Sequence, residues 1–447
     1  MKNVYVNTIG CQMNVYDSEL MIKILKPLGY VQIDSIKKAD LIIINTCSIR
    51  EKAAEKTFSY LGRIAQAKKE KPNQIVVVTG CVAQNLGKEI TRRAPYVDIV
   101  LGTRVLGRLP EYVKKVSEKR DRIIDIEMTE GFDEIKGYEE PKETKVSKFV
   151  TIMRGCDNYC NYCVVPYVRG REISREPESI INEIKSLIDG GTKEITLLGQ
   201  NVNSYGLKEN LCSFPELLHK IKNIDGLERI RFATSHPKDL SDNLIEAFKN
   251  IDKLCDNFHL PVQSGSNNVL KGMNRKYTRE IYIERIIKLR SVRPDISITS
   301  DIIVGFPGES EEDFNDTLLL LKEIEFDSLF AFKYSDRSVA PASKFKNKIE
   351  EDVKTDRLAR LNELQNEISK KKNIIYEERV EKVLVESLSK RQSTEISEDI
   401  KLKQWMGRTS SNKIVNFNHT EDDLIGRTIE VKIEKARANS LWGISTN

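Results

Sequence analysis

FVTIMRGCDNYCNYCVVPYVRGRE (149–172) is a β-rich run that leads directly into three cysteines, Cys156, Cys160 and Cys163, spaced C-x-x-x-C-x-x-C. Three thiolates on one short loop can hold three irons of a [4Fe-4S] cube, whereas a site that only stores electrons normally closes the cube with a fourth cysteine. The fourth iron is then open to a ligand that comes and goes, which points to chemistry at the metal. A zinc knuckle would need a fourth Cys or His at finger-like spacing, and VVPYVRGRE offers none. A disulfide is also a poor alternative: no apolar leader precedes VYVNT (4–8), and cytosolic thiols stay reduced.

Outward from that loop the pattern is strand then helix, repeated. FVTIM (149–153), EITLLG (194–199), RIRFAT (229–234), NFHLPV (257–262), ISITSDIIVG (296–305) and SLFAFKYS (328–335) read as strands, separated by helical stretches such as PESIINEIKSLIDGG. Six βα units are too few to close an eight-stranded barrel, so an open, partial barrel is expected. The cysteine loop follows its first strand, which puts it at the carboxyl-terminal face where barrel enzymes work. Gln200, Asn201, Ser235, His236, Gln263 and Ser264 end other strands and face the same mouth. For each of these, ordinary loop hydrogen bonding is the competing reading.

The first hundred residues predict a different α/β unit. VYVNT (4–8), LIIIN (41–45), IVVVTG (75–80) and DIVLG (98–102) are uninterrupted apolar runs, as parallel strands covered on both faces must be. Helices lie between them, most clearly EKAAEKTFSYLGRIAQAKK (51–69), with Pro72 just beyond it. An open parallel sheet results, and ligands of such sheets sit outside the carboxyl ends of the strands. Cys11, Cys47 and Cys81, in the contexts IGC, NTC and TGC, stand at or just past three of those ends. One such cysteine would be read as an ordinary core residue; three converging on one sheet edge point to a second cluster. Cys212 and Cys255 lack this context and read as plain apolar residues.

The length of 447 residues suggests roughly three domains. The charged fraction of 31% and apolar runs too short to span a bilayer predict a soluble protein, and the lack of a targeting segment predicts the cytoplasm. A net charge of +5 permits an RNA partner without requiring one. Near the C-terminus, residues 350–380 carry Leu358, Leu361, Leu364 and Ile368 on one helical stripe, a connecting helix packed on the barrel. VEKVLVES (380–387), KIVNFN (413–418), TIEVKIEKA (428–436) and SLWGIST (440–446) follow as short alternating strands of a small β-barrel, a form that often binds single-stranded nucleic acid. Arg408, Lys413, Lys432 and Arg437 are candidate backbone contacts. Trp405, Phe417 and Trp442 are either stacking faces or the barrel's core.

Taken together, GCDNYCNYCVVPYVRGRE, LLGQNVNSYG, TSHPKDL, HLPVQSGS, MNRKYT and DIIVGFPGE resemble the radical S-adenosylmethionine methylthiotransferases, in the tRNA-modifying branch. TIGCQMNVYDSE and INTCSIREKA resemble that family's N-terminal domain, and GRTSSNKIVNF its TRAM domain. The resemblance implies four segments: an N-terminal methylthiotransferase domain (1–120), a linker (121–146), the radical core (147–375) and an RNA-binding TRAM barrel (376–447). It implies that Cys156, Cys160 and Cys163 hold the radical cluster and Cys11, Cys47 and Cys81 an auxiliary [4Fe-4S] cluster. Tyr162 is implied to lie at the adenine of S-adenosylmethionine, with Gln200 and Ser235 as weaker cofactor contacts.

The implied reaction cleaves one S-adenosylmethionine to a 5'-deoxyadenosyl radical and uses a second to methylate a cluster-borne sulfur. The methylthio group then passes to C2 of N6-isopentenyladenosine at position 37 of a tRNA anticodon loop. An electron donor such as a flavodoxin or ferredoxin is implied as a partner. Sibling enzymes act on threonylcarbamoyl-adenosine of tRNA or on a ribosomal-protein aspartate, and a non-catalytic iron-sulfur RNA-binding or redox-sensing protein is the alternative outside enzymes. In SDRSVAPAS (335–343), Val339 and Ala340 stand where the family usually shows Gly-Thr.

Overall fold

A computed structural model describes residues 1–48, 53–131, 145–390 and 402–446. Residues 51–52 of the expected helix and residues 132–144, half of the expected linker, lie outside the described residues.

The N-terminal strands are β1 (Lys2–Thr8), β2 (Tyr30–Gln32), β3 (Leu41–Thr46), β4 (Ile75–Gly80), β5 (Ile99–Leu101) and β6 (Ile123–Asp125). They form one parallel sheet in the order β2-β1-β3-β4-β5-β6. Both faces are covered, and the alternation of β3 shows it: Leu41 and Ile43 enter one apolar core, Ile42 and Ile44 the other. On the first face lie the helices Gln12–Leu25 and Leu109–Lys119; on the second, Ala53–Glu70 and Lys88–Arg93. The chain reverses its winding between β1 and β3, the crevice where ligands of such sheets collect. Sheet pairing continues through β6, inside the 121–146 stretch expected to be linker.

In the central region β7 (Ser147–Thr151) precedes the short antiparallel pair β8 (Met153–Arg154) and β9 (Ile173–Ser174), which pins together the two ends of the cysteine loop. Beyond it come β10 (Glu194–Leu198), β11 (Arg229–Phe232), β12 (Asn257–His259), β13 (Ser297–Val304) and β14 (Ser328–Lys333). All six long strands are parallel, in two halves ordered β7-β10-β11 and β12-β13-β14, joined through the bridge between Ile230 and Leu254. This is the expected partial barrel, filled by aliphatic and aromatic side chains such as Leu197, Phe232, Phe258 and Ile302.

The helix Glu351–Ile374 lies across the barrel. Leu361 and Ile368 pack into the barrel core, Leu358 and Leu364 pack against it, and the buried Arg357 is bound to the Glu309 carboxylate at 2.8 Å. The chain then forms the closed barrel β15 (Val380–Leu388), β16 (Lys403–Arg408), β17 (Ile414–His419), β18 (Thr428–Ala436) and β19 (Leu441–Ser445), ordered β15-β16-β17-β19-β18. Trp405 and Phe417 fill its core, so they are not stacking platforms; Trp442 is half-buried.

This small barrel grips the amino-terminal ends of the central strands, away from the cysteine loop. Arg231 bonds Glu194 (Nε to Oε2, 2.9 Å) and the carbonyls of Ser410 and Thr409 (2.9 and 2.8 Å), while Arg229 bonds the carbonyls of Arg408 and Lys382. Lys413 pairs with the buried Asp327 at 2.9 Å, and Arg408 with Glu386 at 3.2 Å. Lys432 pairs with Glu378 at 2.7 Å, so three of the four expected RNA-contacting cations are bound to carboxylates of the protein itself. Removing one partner of a pair as buried as Lys413 and Asp327 costs about 3–5 kcal/mol, so deleting the C-terminal barrel would damage the central one as well.

Candidate functional site

The loop carrying Cys156, Cys160 and Cys163 is rigid because other loops of the barrel hold its backbone. Gly155, at φ +78, lies so close to the opposite limb that a Cβ would sit 2.0 Å from the Arg171 carbonyl oxygen, and no other residue fits there. Its N–H donates to Gln200 Oε1 at 2.5 Å. Cys156 N–H donates to the Gly170 carbonyl, and Asn161 is bound through N and Nδ2 to the carbonyls of Met273 and Gly272. Asn161 O in turn accepts from Ala342 N. Gln200 therefore acts here by fixing the cysteine loop.

Cys156 and Cys160 are buried and Cys163 nearly so. Burial pushes the Cys156 thiol up to about 11 and the Cys163 thiol up to about 12. Such thiols become ligands by releasing their protons as a metal enters. Donors are already directed at the sulfurs: Arg275 Nη1 lies 3.4 Å from Cys160 Sγ, and Val165 N–H points at Cys163 Sγ at 3.4 Å. His236 Nδ1 accepts from Lys238 N, which leaves the ring proton on Nε2, 3.9 Å from Cys160 Sγ. Burial, together with the nearby Arg275, keeps this histidine neutral.

Tyr162 packs its ring against the cluster of Val269, Met273, Phe306 and Tyr334, and its hydroxyl lies 3.2 Å from Arg275 Nη1. Ser235 is buried at the same mouth, and its hydroxyl has no hydrogen-bond partner among the described residues; neither does Asn203 Oδ1. Buried polar atoms left unpaired cost about 1–3 kcal/mol each, so a polar small molecule is the natural filler of this mouth. Ser264, by contrast, is engaged with Thr317, and Gln263 pairs through its backbone with Asp301 and Ile303, so these two serve the barrel wall.

Cys11, Cys47 and Cys81 converge at the carboxyl edge of the first sheet. Gly10 and Gly80 make the approach possible: a Cβ on Gly10 would lie 2.5 Å from Cys47 Cβ, and one on Gly80, at φ +91, would lie 2.2 Å from the Thr46 carbonyl. Asn14 ties the turns together, its Nδ2 donating to the carbonyls of Ile9 (3.1 Å) and Thr46 (2.9 Å). Hydrogen bonding with Cys47 brings the Cys11 thiol down to about 6, with Arg169 adding to the effect against the opposing pull of burial. Soft thiol donors in threes suit iron-sulfur chemistry. Among the described residues, no three His, Cys, Asp or Glu side chains close on one point as a single metal ion requires, whereas a cube takes each thiolate on its own iron.

The two cysteine sets face each other. Cys81 packs with Val164 and Val168, which follow Cys163, and with Val339. A cavity of about 140 Å³ lies here, lined by Ser48, Val82, Leu86, Val164, Val168 and Val339 among others. It opens between the neighbours of Cys47 and Cys81 on one side and of Cys163 on the other.

Arg275, Asn14 and Arg169 are functional candidates that the sequence did not single out. Arg275 lies within the quoted MNRKYT, which was the available signal. A buried arginine looks like a surface cation in sequence.

Three protein-family models match the chain: Uncharacterized protein family UPF0004 over residues 3–102, the Radical SAM superfamily over 150–321 and the TRAM domain over 376–444. Among curated relatives, the chain is 51% identical over 453 residues to the tRNA-2-methylthio-N(6)-dimethylallyladenosine synthase of Desulfosudis oleivorans, covering 100% of this chain and 97% of that protein. It is 48% identical to the proteins of the same name from Syntrophus aciditrophicus (99% and 94% covered) and Clostridium botulinum strain Okra (98% and 96%). Among solved structures, the radical S-adenosylmethionine methyltransferase TsrM from Kitasatospora setae, with cobalamin and a [4Fe-4S] cluster bound, aligns at a TM-score of 0.59 and 14% identity. That match covers 77% of each chain and bears on the fold alone.

Proposed function

Because the chain belongs to the radical S-adenosylmethionine tRNA methylthiotransferases, as its full-length relatives show, we infer that it transfers a methylthio group to C2 of N6-isopentenyladenosine at position 37 of tRNA. Two [4Fe-4S] clusters and two molecules of S-adenosylmethionine serve that reaction. Cys156, Cys160 and Cys163 would hold the first cluster with one iron open, and Cys11, Cys47 and Cys81 the second. When bound, these clusters supply an electron to the sulfonium at the first site and a sulfur that can take a methyl group at the second.

The observation that carries this reading is the cavity between the two cysteine sets. A carbon that loses hydrogen to one cofactor and gains sulfur from another must lie between them, and the reaction needs water kept out. Val82, Leu86, Val164, Val168 and Val339 give that cavity an apolar part that suits a dimethylallyl substituent, beside the polar Asn85, Asp336 and Arg337. The chain's own residues hold and orient. Gln200, Asn161 and Gly155 fix the first loop, Arg275 and His236 hold the Cys160 sulfur, and Ser235 and Asn203 present polar atoms to the cofactor at the mouth. Tyr162 backs Arg275 there.

The C-terminal barrel contributes RNA contacts on its outer surface, where Trp442 is partly open. An electron-carrying protein of the flavodoxin or ferredoxin class would supply the reductant, and a tRNA substrate is consistent with a cytoplasmic enzyme. No helix among the described residues is long and apolar enough to cross a membrane.

Nucleoside mass spectrometry tests the assignment. The reconstituted chain, given S-adenosylmethionine, reductant and prenylated tRNA, is expected to yield 2-methylthio-N6-isopentenyladenosine. Methylthiolation of threonylcarbamoyl-adenosine instead would move the chain to the sibling activity.

A further inference from the structure

We propose that Arg169 sets the charge balance of the second cysteine site and thereby the reduction potential of the cluster held there, as a positioning residue contributed by the opposite domain. The inference rests on the reading of Cys11, Cys47 and Cys81 as cluster ligands.

Arg169 belongs to the central barrel. One helical turn, Val165–Val168, separates it from Cys163. Its side chain nevertheless lies inside the N-terminal domain, 4% exposed, with Nη1 2.9 Å from Asp17 Oδ2 and Nη2 donating to Asn14 Oδ1 at 3.0 Å. Asn14 is the residue that ties together the turns into Cys11 and Cys47. Cys11 Sγ lies 3.7 Å from Asn14 Oδ1. The backbone on either side is fixed from the N-terminal domain too: Arg104 Nε donates to the Arg169 carbonyl and Thr103 Oγ1 to the Val168 carbonyl, both at 2.7 Å.

A merely structural reading would make Arg169 and Asp17 a neutral pair that staples two domains. The geometry is asymmetric, however. Arg169 Nη2 and Cys11 Sγ meet on the same atom, Asn14 Oδ1, at 3.0 and 3.7 Å, whereas Asp17 is held on the guanidinium's other nitrogen, Nη1. A cube on three thiolates is anionic and gains a further negative charge on reduction. Net charge and hydrogen bonds at the sulfurs are the levers on its potential, and a cation in a water-poor site stabilises the more negative state more. Arg169 therefore favours the reduced cluster, and Asp17 opposes it more weakly from further back.

The test uses the full-length chain carrying Cys156→Ala, Cys160→Ala and Cys163→Ala, so that the second cluster is observed by itself, in an EPR-monitored redox titration. Arg169→Gln is expected to move the potential to more negative values, Asp17→Asn to more positive values, and Arg169→Lys to stay near the parent. An unchanged potential in Arg169→Gln, or displacement of both neutral variants in the same direction, overturns the proposal. If Arg169→Gln does not fold because Asp17 is left buried and unpaired, the doubly neutral Asp17→Asn with Arg169→Gln takes its place. Its potential is expected to be more negative than the parent's, and an unchanged value overturns the proposal. A parent that takes up no iron ends instead the ligand assignment on which the proposal rests.

Discussion

Replacing Cys156 with alanine is expected to reduce 5'-deoxyadenosine formation to the level seen without enzyme, and methylthiolated product with it. The loop leaves no room for a substitute ligand to swing in. Gly155 is pressed against the Arg171 carbonyl, Asn161 is bonded at N, Nδ2 and O, and Tyr159 is held at φ +47 by Asn274 Nδ2 bonding its carbonyl. Two thiolates on a rigid loop cannot hold a cube that presents one open iron. The N-terminal trio, on a separate sheet, should keep its iron. Chromatographic quantification of 5'-deoxyadenosine under reducing, anaerobic conditions is the check, and formation at the parental rate would remove Cys156 from the radical site.

Cys47→Ala should separate the two halves of the reaction. S-adenosylmethionine cleavage is expected to persist within a few-fold of the parent, while methylthiolated nucleoside falls to background. Alanine keeps the Cβ against which Gly10 packs, so the turn should hold its shape while the sulfur is lost. The first loop contacts the barrel through residues 272–275 and 340–342 rather than through this turn. Methylthiolated product from this variant would show that the second trio does not supply the transferred sulfur.

Much of this site is readable in the sequence because its logic is local. A tight cysteine spacing is visible without a fold, and IGC, NTC and TGC at the ends of unbroken apolar runs place three thiols on one sheet edge once the runs are recognised as parallel strands. Other features depend on tertiary contacts. The edge strands Tyr30–Gln32 and Ile123–Asp125 are too short and too mixed in polarity to stand out, and the first exists by pairing with β1. KQWMGR shows no clear alternation, yet β16 closes the C-terminal barrel and buries Trp405. Lys413, Arg229 and Arg231 look like solvent-facing cations until the 409–413 turn is seen seated on the base of the central barrel. Arg169 is the strongest case: its partners are 152 to 155 residues away in sequence, and only the docking of two domains brings them within 3 Å.

In the reading proposed above, two separate trios of cysteines each hold a cluster across one cavity. Iron and acid-labile sulfide, measured after anaerobic reconstitution, test it most directly in the parent and in two variants, one with Cys11, Cys47 and Cys81 replaced by alanine and one with Cys156, Cys160 and Cys163 replaced. Each variant is expected to retain about half of the parental iron and sulfide, and only the variant keeping Cys156, Cys160 and Cys163 is expected to change its spectrum on addition of S-adenosylmethionine. Full retention in either variant, loss of all iron from both, or zinc in place of iron would contradict it.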